Sequence, residues 1–280
     1  MPSVVITGHR YLTKPEEAER FGPFGCTFLA EGDSWMDASA WNQGSLPVYL
    51  ARDFNRSGDQ HLIVNLATSG HTLTRIVDMM RGDFGWWIRQ QRYDGILFSA
   101  GGNDFIDAAQ VMVSGQGLLR DLRGQSPPTE AADCLRPEAL QRLVRDYLAP
   151  NFAAIHRAVR RSGPNANTPI YLNGYDTPTA RDAPAIRGLS GPWLFAAYTR
   201  HGIAPERWPA LTELIFDELW RTVQGWARRH DGVVAVPTRG LLDPADPTDA
   251  DDSGDWINEI HPNPGGWKKQ ARAWRASLAV

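Results

Sequence analysis

Short apolar runs alternate with longer segments of helical periodicity along most of this chain. Apolar runs of this length, bounded by glycine or polar residues, are typical of strands buried in a parallel sheet. The segments between them carry apolar residues three or four positions apart, which indicates helices with one buried face. The predicted strands are 26–30, 62–66, 94–100, 170–173 and 233–236.

The helical segments complete this alternation. Pro150 should kink the longest of them, and Asn263 followed by Pro264 is a favourable N-cap and first position for the last. Strands that alternate with helices predict an α/β fold, in which helices cover both faces of a parallel sheet. Right-handed crossovers place the carboxyl ends of the strands on one edge. The predicted helices are 46–54, a segment from Leu73 onward, 137–159, 211–226 and 264–278.

Three segments do not fit the alternation. Residues 1–24 form an N-terminal arm of mixed polarity, in which Val4-Val5-Ile6 offers at most a short additional strand. Residues 105–136 and 176–209 are rich in glycine, proline and polar residues, and we interpret them as insertions beside the edge of the sheet at which α/β proteins carry their sites. The 280 residues are therefore predicted to form a single domain, 1–280, with one sheet.

Composition and charge exclude several classes of protein. A net charge of −3 and a pI near 6.2 argue against a nucleic-acid partner. No apolar run approaches the roughly 20 residues that span a bilayer, and the N-terminus lacks a signal-peptide pattern, so we expect a cytoplasmic protein. The two cysteines, Cys26 and Cys134, make no disulfide framework. Because no His, Cys, Asp and Glu grouping has metal-ligand spacing, neither a metal nor another cofactor is predicted.

Chemically useful residues follow the predicted strands at the same edge. Gly32-Asp33-Ser34 follows the first strand, Ser69-Gly70 the second, Gly101-Gly102-Asn103-Asp104 the third, and His261 lies beyond the fifth. A serine hydroxyl needs a base, and histidine has a suitable pKa near neutral pH. The backbone N–H groups of Ser34 and Gly70 and the side-chain amide of Asn103 are candidate donors to an oxyanion.

These four blocks, in this order, resemble an SGNH hydrolase of the GDSL esterase/lipase superfamily. The resemblance spans about residues 27–274 and implies a flavodoxin-like three-layer α/β/α sandwich, with a five-stranded parallel sheet of order 2-1-3-4-5. It also implies ester hydrolysis through an acyl-enzyme on Ser34, without a metal, with His261 as general base and with Gly70 and Asn103 in the oxyanion hole.

One position departs from the family pattern. The family usually has an aspartate three residues before the histidine, and this chain has Asn258 there. The nearest acids are Asp255 and Glu259. A carboxylate stabilises a histidine cation better than an amide does, so Asp255 is our prediction for the group that orients His261. Asn258, as a weaker orienting group, is the alternative.

The sequence thus predicts a serine esterase that acts on a small-molecule, lipid or carbohydrate ester. Within this class an acyl-thioesterase or lysophospholipase, a carbohydrate O-acetylesterase and a lipase remain open. The alternative from a different class is a non-catalytic binding module on a decayed SGNH fold, which Asn258 keeps in play. The oligomeric state is left open.

Overall fold

The computed structural model describes residues 2–37, 44–79, 83–113 and 115–279. Within these ranges the strands form one parallel sheet of six, in the order β1-β3-β2-β4-β5-β6. The α/β class predicted from the alternation is therefore confirmed. The strands are β1 (Val4–Thr7), β2 (Cys26–Gly32), β3 (His61–Asn65), β4 (Gly95–Ser99), β5 (Ile170–Leu172) and β6 (Val233–Ala235).

The prediction of five strands is wrong by one. The N-terminal arm contributes β1, which pairs with β3 at the edge of the sheet, with Val4 opposite Leu62 and Thr7 opposite Asn65. The other five strands keep the expected relative order, since β3, β2, β4, β5 and β6 correspond to 2-1-3-4-5. An edge strand of four residues has little apolar sequence to mark it, and three of its residues are only half-buried.

Helices flank the sheet. In the part of the chain described, α3 packs against α11, while α4, α5 and α8 contact one another. β3 and β4 are buried along their whole length, as expected for strands that are covered on both faces. The helices are α1 (Gly8–Thr13), α2 (Pro15–Glu19), α3 (Leu46–Ser57), α4 (Leu73–Met79), α5 (Asp83–Gln90), α6 (Gly102–Gln110), α7 (Pro137–Gln141), α8 (Ala149–Arg160), α9 (Leu194–Arg200), α10 (Trp208–Arg229) and α11 (Pro264–Ser277).

Two helix predictions depended on proline. The long helix predicted at 137–159 is present, but a π-helical turn, Arg142–Leu148, separates α7 from α8 just before Pro150. Proline has no N–H to donate and its ring crowds the preceding turn, so the regular α-helical pattern is unfavourable there. At α11 the prediction is confirmed, because the Asn263 side chain accepts hydrogen bonds from the N–H groups of Gly265 and Gly266.

The segments interpreted as insertions carry more structure than their composition indicated. The first begins inside α6 and later forms an antiparallel bridge between Leu119 and Leu135. The second contains α9. Buried apolar residues from Ile6 to Leu278 belong to one core cluster. None of the helices in the described ranges is long and apolar enough to cross a membrane. In the helix predicted from Leu73 onward, the sequence also places Met80 on the apolar face, but this residue lies outside the described residues.

Candidate active site

The turn that carries Ser34 begins where β2 passes close to β4. Gly32 has φ +145°, and a Cβ atom at this position would lie 2.3 Å from the Ser99 carbonyl oxygen. Only glycine fits this approach without displacing β4. The chain then turns, with the N–H groups of Met36 and Asp37 donating to the Asp33 carbonyl oxygen. Ser34 is thereby presented at the carboxyl edge of the sheet, with 9% of its surface exposed.

Asp33 holds this turn in place. Its Oδ1 accepts hydrogen bonds from Trp35 N (3.0 Å) and Ser99 Oγ (2.6 Å), and its Oδ2 accepts one from the Tyr175 hydroxyl. Burial raises the pKa of Asp33 to about 6, although these hydrogen bonds favour the carboxylate. Asp33 therefore ties the turn that carries Ser34 to β4 and to the segment after β5.

The candidate oxyanion donors are positioned by contacts between two loops. Gly70 has φ +79°, a left-handed conformation that favours glycine. Asn103 Nδ2 donates to the His71 carbonyl oxygen (2.9 Å), and the Asp104 carboxylate accepts from Leu73 N, at the start of α4 (3.1 Å). An amide nitrogen carries two hydrogens, so Asn103 retains one for a ligand. Gly70 and Asn103 line a pocket of about 230 Å³ together with Ser34 and His261.

The structure brings Ser34 and His261 together. His261 Nε2 lies 2.8 Å from Ser34 Oγ, and Trp35 Nε1 donates to the Ile260 carbonyl oxygen (3.2 Å), which ties the two loops to each other. The imidazole is buried, and this burial lowers the pKa of His261 to about 4. The ring is therefore neutral at pH 7 and can accept a proton.

Asn258 fixes which imidazole nitrogen carries the hydrogen. Its Oδ1 accepts from the backbone N–H groups of Ile260 (3.1 Å) and His261 (3.0 Å), so this atom must be the amide oxygen. The same Oδ1 lies 3.0 Å from His261 Nδ1. Because an oxygen with no hydrogen can only accept, Nδ1 is the protonated nitrogen and Nε2 has its lone pair directed at the Ser34 hydroxyl.

The structure does not bring Asp255 to His261, which corrects our prediction. Asp255 Oδ2 accepts from Asp243 N (2.7 Å) and Lys269 Nζ (2.5 Å). The backbone between Asp255 and His261 turns back on itself, and Asn263 N donates to the Asp255 carbonyl oxygen (2.8 Å). Asn258, the alternative, occupies the orienting position instead.

Glu259 was considered from the sequence only as an acid near the histidine, and Trp193 only as an aromatic residue of the second insertion, which was expected to lie over the site. The Glu259 carboxylate accepts hydrogen bonds from the backbone N–H groups of Arg181, Trp193, Leu194 and Phe195, the last at 2.7 Å. Trp193 packs edge-on against His261, with 5.7 Å between ring centroids. The only sequence signal for these contacts was a tryptophan in an insertion that follows the sheet's carboxyl edge. Glu259 thus holds the segment that begins at Trp193 beside the histidine.

The insertions contribute unequally to the site. Ala185, Ile186, Ser190 and Trp193 of the second one line the 230 Å³ pocket. Of the first, among the described residues, only Ile106 borders a cavity beside Ser34. The described residues contain no group of three or more His, Cys, Asp or Glu side chains that could hold a metal ion.

The parallel sheet with its flanking helices is an α/β fold, and Ser34, Gly70, Asn103 and His261 meet at the carboxyl edge of this sheet. Residues 30–269 match the profile of the GDSL-like lipase/acylhydrolase family, and the chain belongs to that family. None of the curated protein sequences compared with the chain matches it.

Solved structures of hydrolases share the fold at low sequence identity. A lipase from a goat-rumen metagenome superposes with a TM-score of 0.56 at 12% identity, over 90% of this chain and 97% of its own. The extracellular lipase of Streptomyces rimosus gives 0.56 at 14% identity, over 90% and 100%. A family 3 carbohydrate esterase of Clostridium thermocellum gives 0.51 at 14% identity, over 90% and 94%. At such identities the similarity establishes the fold alone.

Proposed function

We propose that the protein is a serine esterase, with Ser34 as nucleophile and His261 as general base and then general acid. The observation that carries the proposal is the continuous contact from Ser34 Oγ through His261 to Asn258 Oδ1. Since Asn258 fixes the proton on Nδ1, Nε2 is the base that the serine hydroxyl needs. Family membership supports hydrolysis in general, and that the bond hydrolysed is a carboxylic ester is part of our proposal.

The geometry supports a two-step acyl transfer. Ser34 Oγ attacks the ester carbonyl carbon while His261 Nε2 takes its proton, and the carbonyl oxygen becomes an oxyanion. The N–H groups of Ser34 and Gly70 and the Asn103 amide, all from residues that line the same pocket, are the donors that would stabilise it. The C–O bond to the alcohol then breaks as His261 returns the proton to the leaving oxygen. Water attacks the acyl-enzyme by the same route in reverse, which releases the acid.

The neutral partner of His261 limits the rate. The imidazolium that forms in each step has the Asn258 amide oxygen beside its Nδ1, and among the described residues no carboxylate forms a hydrogen bond with the ring. An amide in place of the carboxylate lowers kcat by about 10⁴ in a comparable triad, although part of that loss comes from the wrong tautomer. Here the tautomer is correct, so we expect slow turnover with a smaller deficit.

A covalent probe separates this proposal from a non-catalytic binding module. We expect a fluorophosphonate to label the wild-type protein and the Ser69→Ala variant, whose altered hydroxyl lies in the same pocket. The Ser34→Ala variant should not be labelled and should lose hydrolysis of p-nitrophenyl acetate. A folded wild-type protein that resists labelling and hydrolyses no ester would favour the binding module, for which the neutral Asn258 is the supporting observation.

A further inference from the structure

A small apolar cavity adjoins Ser34 beside the pocket that contains His261. Its volume is about 20 Å³, which is room for roughly one group of the size of a water molecule or a methyl group. Ser34 and Asn103 border both spaces, whereas His261 borders only the larger pocket of about 230 Å³. The walls of the small cavity include Ile106 of α6, Phe216 of α10 and Pro178, which lies in the segment between β5 and α9.

The reaction geometry assigns a substrate group to each space. A tetrahedral carbon on Ser34 Oγ has three other substituents: the oxyanion, the leaving oxygen and the acyl carbon. The oxyanion must face Gly70 and Asn103, and the leaving oxygen must lie near His261 Nε2 to receive its proton. Both positions lie in the 230 Å³ pocket. The acyl carbon takes the remaining direction, into the small cavity.

The small cavity suits an apolar group because the charged atoms beside it already have partners. The Asp33 carboxylate is directed to Trp35 N, Ser99 and Tyr175. The Asp176 carboxylate accepts hydrogen bonds from the N–H groups at positions 240, 241 and 242. A methyl group in this space would therefore bury apolar surface without desolvating an unpaired charge.

A much larger space lies behind the same walls. A cavity of about 620 Å³ is bordered by Asp176 and Pro178, which also border the small one. Along α10, Pro209 and Glu213 line the large cavity and Phe216 lines the small one. Positions four and then three residues apart share one face of a helix. Phe216 therefore lies where this face passes from the large cavity to the small one.

We propose that the enzyme is selective for acetyl esters of larger alcohols, and that Ile106, Pro178 and Phe216 set this limit by closing the acyl cavity. The alcohol would occupy the 230 Å³ pocket, between Trp193 and Ser69. This inference rests on the proposed esterase function. In the wild-type enzyme the 620 Å³ cavity binds no part of the substrate. If the Phe216 ring were removed, a longer acyl chain would extend into this cavity.

The test measures kcat/KM for p-nitrophenyl acetate, butyrate and octanoate. A pocket that fits one group discriminates against an extra methylene by about tenfold or more, so wild type should prefer acetate to butyrate by at least that factor. Phe216→Ala should raise the butyrate-to-acetate ratio by about tenfold or more and make octanoate a substrate. Because both substrates are measured on the same preparation, the ratio does not change if part of the enzyme is inactive.

Phe152→Ala is the matched control. It deletes the same ring from the core, where Phe152 is fully buried and stacks on Trp226 of α10, and it borders neither cavity. Its ratio should equal that of wild type. If Phe216→Ala does not fold, Ile106→Val tests the same wall, and should raise the propionate-to-acetate ratio severalfold.

The outcomes separate the two proposals. Equal hydrolysis of acetate and octanoate by wild type, or an equal change of ratio in Phe152→Ala, would overturn the acyl-size inference and leave the esterase standing. Absence of any hydrolysis, together with no fluorophosphonate labelling of Ser34, would overturn both.

Discussion

Two loops meet at the active site, and in both of them the carboxylates accept hydrogen bonds that hold the loop in shape. Only the histidine loop would also use a carboxylate in catalysis, beside His261. In the loop after β2, Asp33 follows the glycine turn and braces it through three hydrogen bonds. In the loop before α11, Asp255 and Glu259 lie on either side of Asn258, and both carboxylates accept from backbone N–H groups. The acids hold the loops in place, and the neutral amide contacts the base.

The contrast between these carboxylates and the Asn258 amide shows what decides the role of a buried carboxylate. Taking a charge out of water is costly unless several donors surround it, and backbone N–H groups in turns provide such donors. Glu259 has four of them and Asp33 has one, with two hydroxyl groups in addition. Asn258 Oδ1 accepts from two backbone N–H groups and from His261 Nδ1 without carrying a charge, so its burial costs less free energy than that of a carboxylate.

The largest effects on activity are expected from the two changes at Asn258, and the first of them gives the histidine loop the charge that it lacks. In Asn258→Asp, a carboxylate oxygen can accept all three hydrogen bonds that Oδ1 now accepts. The negative charge favours the imidazolium, so it raises the pKa of His261 from about 4. We expect kcat to rise by about tenfold or more, and the acidic limb of the pH profile of kcat/KM to move upward by at least about one unit.

Asn258→Ala is the opposite change and completes this test. It removes the acceptor that fixes the tautomer, and kcat should fall by about a hundredfold, because a misplaced base costs about that much. The wild-type acidic limb should lie near pH 4, since the neutral base is fully present above the pKa of His261. A wild-type limb near pH 6.5, or an Asn258→Asp profile identical to that of wild type, would contradict this account.

Glu259 should have the next largest effect, because it acts on the base through the neighbouring segment. Burial raises the pKa of Glu259 to about 7, although four N–H groups favour the ionised form. In Glu259→Gln, an amide NH₂ would face N–H donors, and the segment at Trp193 would lose its anchor. We expect kcat/KM to fall about tenfold, by displacement of the groups around His261.

Glu218→Gln is the control for this change, because that side chain is partly exposed and its ion pair with Arg221 is long (3.7 Å). Its kcat/KM should match that of wild type. If Glu259→Gln lowers thermal stability and leaves kcat/KM unchanged in the remaining folded protein, Glu259 supports the fold only and does not position the base.

The sequence predicted the parts of the molecule that depend on periodicity and on edge geometry. The buried runs around Leu29, Ile63 and Leu97 are marked because both faces of those strands are covered. Ser34, Gly70, Asn103 and His261 converge because parallel strands end at one edge. For β1 the sequence indicated only a possible short strand, Val4-Val5-Ile6, because so short a run is a weak signal; three of its four residues are half-buried at the edge of the sheet.

The sequence could not decide which side chain of the loop orients the histidine. Asp255, Asn258 and Glu259 occupy one short loop, and spacing alone does not show where the N–H donors of other segments are. Asp243 N, twelve residues away, pairs with Asp255, and the N–H groups at 193–195 pair with Glu259. Such long-range partners are set by the folded chain and leave no local pattern.

The smallest effect on activity is expected from Asp255, the acid first assigned to the base. Asp255→Ala leaves the N–H of Asp243 without its acceptor, and we expect the free energy of unfolding to fall by about 1–2 kcal/mol. The Lys269 ammonium is solvent-accessible and adds little to this. Because His261 Nδ1 pairs with Asn258, kcat should stay within about twofold of wild type. Denaturant titration beside steady-state kinetics measures both quantities, with Lys269→Ala as the control that removes the ion pair and retains the Asp243 hydrogen bond. This account would be contradicted by a hundredfold fall of kcat in Asp255→Ala but not in Lys269→Ala, with the free energy of unfolding unchanged. Asp255 would then be the carboxylate that acts on His261.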